Sequence, residues 1–284
     1  MNWFLLSLLC AFSLASADAF TKRHLSGFSP EGMLLVRFTI PGILLFPVLY
    51  FHPLPAVPLA FWGWVLSAVP LEFIAMTLYM RAICRSPLYL TLPYLAFTPV
   101  FSALLAYVML GEKISPGGLA GILLITSGAF LLNLRHLGSG ILEPFKAILR
   151  EPGSRMMLLV SFLYGITSVL GKGALKYCPP LTFGAFYYGL LGVMALPLAG
   201  KGGGLILTRP VRPVMIGVMV SVMVISHFLA LEGVNVAYMI AVKRTSLLFG
   251  IVYGVILFKE KEFGLHFLAG ILMVVGVGLV AAMV

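Results

Sequence analysis

The chain is a succession of apolar runs, each about as long as a bilayer core is thick. A helix rising about 1.5 Å per residue needs about 20 residues to cross about 30 Å of hydrocarbon. Ten runs meet that length, at 3–21, 32–51, 57–80, 87–109, 117–134, 155–175, 181–199, 212–231, 236–258 and 264–284. Short connections rich in Pro, Gly and charge separate them, as at Pro53–Pro58, Glu151–Ser154 and Gly200–Pro213. Only 10% of the 284 residues are charged, against about 25% in a soluble domain, which excludes a soluble fold and leaves no room for a second, soluble domain. The expectation is an all-α, polytopic, integral membrane protein whose first partner is the lipid bilayer, with a bacterial inner (plasma) membrane as its location.

The first run ends near Ala15-Ser16-Ala17, as a secretory signal would. No basic residue precedes it and further spans follow, so it reads as an uncleaved first helix. Cys10, Cys84 and Cys178 lie in or beside apolar segments without ligand spacing. They are expected to be buried, inert thiols, with neither a disulfide framework nor a metal site. The basic excess of +10 falls in short loops and bears on orientation rather than on nucleic acid, which is not an expected partner.

A repeat is visible across the midpoint. Gly111-Glu112-Lys113 precedes Leu119-Ala120-Gly121-Ile122-Leu123, and Lys259-Glu260-Lys261 precedes Leu268-Ala269-Gly270-Ile271-Leu272, offsets of 148 and 149 residues. Pro47 and Pro197 close two further runs at an offset of 150. Five spans repeated once enter the membrane in opposite senses, an inverted-topology 5+5 repeat of the kind found in secondary transporters. The expected units are residues 1–137, a connecting segment 138–154, and 155–284. Within the connection, Leu142–Leu149 with Glu143 and Lys146 has the pattern of a short interfacial helix.

The block GEKIS…LAGILLITSGAFLL, following a span with Pro93 and Pro99, resembles the EamA repeat of the drug/metabolite transporter superfamily, and KEKEF…LAGILMVVGVGL resembles its partner. The resemblance covers nearly the whole chain and implies ten helices around a central cavity working by alternating access. NVAYMIAVKRTSLLF is similar to the penultimate helix of the sugar-phosphate and triose-phosphate translocators. There a Lys-Arg pair clasps phosphate, and the matching positions are Lys243 and Arg244. Lys172 is the candidate functional substitute for a third phosphate-binding Lys of those translocators.

By the positive-inside rule, thirteen Lys and Arg follow spans 1, 3, 5, 7 and 9, while Lys113 and Lys176 alone occupy the other face. Both termini are therefore expected outside the cytoplasm.

Within the spans stand Asp18, Arg37, Glu72, Lys172, Lys243 and Arg244, with Glu232 at a helix end. A mid-membrane charge costs at least about 2.5–3.5 kcal/mol and marks a route, a binding site or a paired partner. Lys243 and Arg244 suit an anion: Arg presents a planar fork of donors and Lys a point charge. The structural alternative is a pair neutralised by Asp18 or Glu72. Glu72 follows Pro70, which permits a bend, and is the candidate coupling residue or a counter-ion. Asp18 and Lys172 are candidates for a gate between the repeats or for solvated positions near the surface; Arg37 and Glu232 read as snorkelling. Tyr94 and Tyr238 are candidate substrate-binding hydroxyls, while tyrosines in general are expected in the interfacial belt. Gly250 and Gly254, like Gly117 and Gly121, suggest close helix packing. No catalytic or nucleotide-binding motif is present, so an enzyme is not expected, nor a cofactor.

The function these features point to is secondary transport of a small polar organic solute, anionic, phosphorylated or zwitterionic, coupled to protons or a counter-solute. The alternatives are a flippase for a lipid-linked substrate, with a lateral apolar opening, and a membrane assembly partner without flux, with a filled cavity and every mid-span charge paired.

Overall fold

The computed structural model describes residues 2–25, 27–86, 91–131, 151–200, 210–258 and 264–283. The helices are α1 (Trp3–Leu25), α2 (Pro30–Phe51), α3 (Leu59–Arg85), α4 (Thr98–Leu110), α5 (Pro116–Leu131), α6 (Pro152–Ala174), α7 (Pro180–Ala195), α8 (Val211–Glu232), α9 (Val236–Lys243), α10 (Ser246–Phe258) and α11 (Gly264–Ala282). A 3₁₀ turn, Leu92–Phe97, leads into α4, and another, Leu196–Leu198, follows α7. Among the described residues, seven stretches are helical and apolar enough to cross a membrane alone, and three shorter apolar helices accompany them. The chain is an all-α polytopic membrane protein. The expected interfacial helix at Leu142–Leu149 and the charged Lys259-Glu260-Lys261 lie outside the described residues.

Local chemistry sets the helix ends. Ser29 caps α2 by accepting the Gly32 N–H at 3.2 Å, with Pro30 supplying a preset φ at the first turn. Prolines likewise open α5, α6 and α7. Gly111 terminates α4 in the left-handed region at φ 71°, with its N–H returned to Ala106 and Tyr107. Only glycine takes that conformation without a Cβ penalty, and the chain turns there toward α5.

The run at 236–258, expected as one helix, is broken. After α9 the backbone tightens: Thr245 N–H reaches Val242 O at 3.0 Å and Leu247 N–H reaches Arg244 O at 3.0 Å, three residues back rather than four. The Thr245 hydroxyl adds a bond to Val242 O at 2.8 Å. Side-chain hydroxyls that bond the preceding turn compete with the helical ladder and favour such a break. In the first half the comparable break, at Leu92–Phe97, holds Pro93, which cannot donate, and ends where Thr98 bonds Leu95 O at 2.7 Å.

The principal helix pairs are α1 with α8, α3 with α6, α2 with α7, and α5 with α11; α4 packs on α6 and α9, and α10 packs on α1. The α5–α11 pair is close enough that a Cβ on Gly121 would stand 2.8 Å from Gly276 O, and one on Gly276 2.7 Å from Gly121 O. Lipid offers apolar side chains no reason to leave it, so helices associate where small residues let backbones approach. Leu5, Ile43, Phe46, Leu66, Leu104 and Val252 are all more than half exposed, as side chains facing acyl chains must be.

Candidate functional site

A cavity of about 1140 Å³ lies among α1, α2, α3, α6, α7, α8, α9 and α10. Its wall includes Lys22, Gly27 and Phe28 at the α1–α2 turn and Ser86 at the end of α3. Gly27 and Phe28 are exposed, so the mouth opens on that face. From there the cavity reaches Glu72, His227, Lys243 and Arg244. The last two stand at the α9–α10 break, where the interrupted helix ends in the cavity wall rather than in lipid.

Each charge in the wall has a distinct environment. Arg37, only 1% exposed, donates from Nη1 to Asp18 Oδ1 at 2.5 Å. Tyr79 donates its hydroxyl to Asp18 Oδ2 at 3.2 Å. Glu72 Oε2 accepts the Thr167 hydroxyl at 2.7 Å and lies within electrostatic reach of Lys243. Lys243 Nζ stands 3.4 Å from His227 Nδ1. Arg244 is 3% exposed and has no ion-pair or side-chain hydrogen-bond partner among the described residues, its Nε included. The Tyr187 hydroxyl is likewise buried and unpartnered. A buried guanidinium with free donors beside an open volume is chemically suited to an anion, since leaving such a group unsatisfied is costly.

The opposite face is closed. Lys172 Nζ donates to Leu231 O at 2.5 Å, Val234 O at 2.7 Å and Glu232 O at 3.3 Å, and lies 3.9 Å from Glu112 Oε1. The ammonium thereby satisfies carbonyls that the C-terminus of α8 leaves orphaned. Glu112 Oε2 accepts the Val236 N–H at 2.8 Å, and Asn235 Nδ2 donates to Lys113 O at 2.9 Å. Tyr238 receives the Ser115 N–H on its hydroxyl oxygen at 3.0 Å. These bonds tie the α4–α5 connection to α6 and to the α8–α9 connection.

Of the residues singled out from sequence, Lys243, Arg244, Glu72 and Asp18 meet in the cavity wall. Lys172, Tyr94 and Tyr238 are not part of it: Lys172 and Tyr238 belong to the closed face, and Tyr94 is buried at 2% exposure away from the lining. Asp18 pairs with Arg37 and not with Lys172. Arg37 does not snorkel, because its carboxylate partner lies one helix away. Tyr79, Tyr164, Tyr187 and Tyr188 line the cavity and are buried or nearly so, rather than forming an interfacial rim. Gly250 faces open space with no atom near its missing Cβ, so it widens the cavity instead of packing a helix. His227 was not singled out from sequence, because a lone His in an apolar run carries no spacing signal. Among the described residues no group of His, Cys, Asp and Glu is placed to hold a metal ion.

The model of the EamA-like transporter family matches residues 1–134 and 152–282. A solved crystal structure, titled only as that of a protein, superposes with a TM-score of 0.76 over 99% of both chains at 16% identity, a likeness of fold alone. No curated protein matches the chain.

Proposed function

The chain belongs to the EamA-like transporter family, and from that footing we propose that it is a secondary transporter moving a small polar organic anion by alternating access. The family is one of small-molecule membrane transporters rather than enzymes, which supports this reading. In this reading Lys243 and Arg244 hold the anion, whether a carboxylate, a phosphorylated metabolite or a zwitterion. Glu72 is the coupling carboxylate for a proton or counter-solute, because Asp18 is already held by Arg37.

The observation that carries the reading is the cavity itself, which runs from the α1–α2 face to both cations. An assembly partner without flux has no use for an open volume ending at an unpaired Arg244. The element pattern supports a 5+5 inverted repeat around this cavity. Helices α1 and α6 each span 23 residues and begin 149 apart; α4 and α10 each span 13 and begin 148 apart. The packing pairs exchange under the same correspondence: α1–α8 with α3–α6, and α4–α6 with α10–α1.

One exchange is incomplete, and it supports alternating access. Helix α4 packs on α9 at the closed face, while among the described residues the corresponding pair, Leu92–Phe97 and α10, makes no comparable contact and flanks the cavity. The two halves thus differ in the way an open and a closed gate differ. With the basic face cytoplasmic, the cavity opens inward.

The test is uptake of labelled solutes by proteoliposomes bearing the reconstituted protein, offered monocarboxylates, phosphate esters and organic cations. The reading expects saturable uptake of anions only, abolished in Lys243→Ala and Arg244→Ala. Uptake equal to wild type in both variants would remove the anion clamp.

A further inference from the structure

The polar groups of the cavity wall are largely committed to one another, and what they leave free describes the substrate. Asp18 is held by Arg37 and Tyr79. Glu72 takes the Thr167 hydroxyl, and Ser168 returns its hydroxyl to Tyr164 O at 2.6 Å. Thr21 does the same to Ala17 O at 2.7 Å, and Lys243 faces His227. Among the described lining residues, Arg244 Nε and the Tyr187 hydroxyl are buried polar atoms without a partner, and the Tyr188 hydroxyl also makes no hydrogen bond. Arg37 Nε is also unpartnered, but its guanidinium is anchored by Asp18.

The charges lead to the same place. Arg37 is ion-paired with Asp18, and Lys243 stands beside His227 and within reach of Glu72. Arg244 has neither an ion pair nor a side-chain hydrogen bond among the described residues, so it is the lining cation best placed to take a carboxylate. A guanidinium fork fits the two coplanar oxygens of a carboxylate. Around it the wall is apolar or aromatic, with Met76, Tyr79, Tyr164, Tyr188, Met223 and Phe228. A sugar body carries several hydroxyls, more than the few free polar groups of such a wall can satisfy, and each one left over loses water without gaining a partner. A flat or apolar body loses nothing and gains contact area.

We infer that the substrate is an amphipathic monocarboxylate, its carboxylate on Arg244 and an apolar or aromatic body against the tyrosine-lined wall, with the Tyr187 and Tyr188 hydroxyls reading at most a few further polar atoms. This rests on the proposed anion site and narrows its substrate class away from sugar phosphates.

The experiment is isothermal titration of the purified full chain in nanodiscs with benzoate, 3-phenylpropionate and indole-3-propionate. Controls are 3-phenylpropionamide, which lacks the charge, and glucose 6-phosphate, which lacks the apolar body. At least one aromatic carboxylate is expected to bind saturably, at least tenfold tighter than either control and at least tenfold tighter than to Arg244→Gln. Arg244→Lys, which keeps the charge without the fork, is expected to fall between. Tighter binding of glucose 6-phosphate, lost in Arg244→Gln, overturns the monocarboxylate and leaves the anion transporter standing. Equal binding of the amide and the acid overturns both. Binding by none of the three carboxylates to a monodisperse wild-type sample overturns the inference.

Discussion

Arg37 and Asp18 form a 2.5 Å ion pair in the cavity wall, joining α1 to α2, with the arginine 1% exposed. Removing Asp18 leaves the buried Arg37 charge alone, which costs about 3–5 kcal/mol, whereas removing Arg37 leaves a partly exposed carboxylate and replacing both is far milder. Asp18→Asn is expected to lower the thermal midpoint of the detergent-solubilised protein sharply, and Arg37→Gln less so. The double variant is expected to recover most of the loss. Fluorescence-detected size exclusion after heating measures it, and additive losses in the double variant would show that the pair is not the cause.

Lys172 closes the opposite face by bonding three carbonyls and approaching Glu112. Lys172→Ala is expected to free the α8–α9 connection and shift the population toward opening there. A cysteine placed at Asn235 would then react several-fold faster with a membrane-impermeant maleimide. An unchanged labelling rate would mean that these bonds do not hold the face shut.

Glu72 carries the proposed coupling. An anion moving with a proton is driven by an inward pH gradient, and a residue that carries that proton is needed for the drive but not for exchange. Glu72→Gln is expected to cut gradient-driven uptake at least several-fold while anion counterflow continues. Loss of both would assign Glu72 to binding or folding instead.

The α5–α11 contact places the Gly121 and Gly276 backbones against each other. Gly121→Val forces them apart, with an expected cost of about 1–3 kcal/mol from overpacking. Gly250→Ala, facing open space, is expected to leave the thermal midpoint within error.

Orientation follows from the basic face. A periplasmic-active reporter fused after Val284 is expected to be active and a cytoplasmic-active one silent; the reverse pattern would refute the assignment of the cavity mouth to the cytoplasm.

Much of this was legible in the residues. Run length set by bilayer thickness located the helices, and the cost of mid-membrane charge drew attention to Lys243, Arg244, Glu72 and Asp18, which share one cavity. The break after Lys243 was not legible, since neither Pro nor Gly marks it and the Thr245 hydroxyl acts only once the turn has formed. Lys172 was misplaced for a related reason. Its partners are chiefly backbone carbonyls, which every residue has and no pattern of side chains announces. The tyrosines of the wall were read as an interfacial belt because a hydroxyl suits headgroups and a polar cavity equally well, and only packing tells them apart.

The central claim is that an anion crosses by way of the cavity and Arg244. Counterflow of a labelled organic anion into proteoliposomes, comparing wild type with Arg244→Gln at matched protein density, tests it most directly. The account predicts saturable anion counterflow in wild type and at least a tenfold lower initial rate in the variant, with unchanged folding. Equal rates in the two proteins would contradict it.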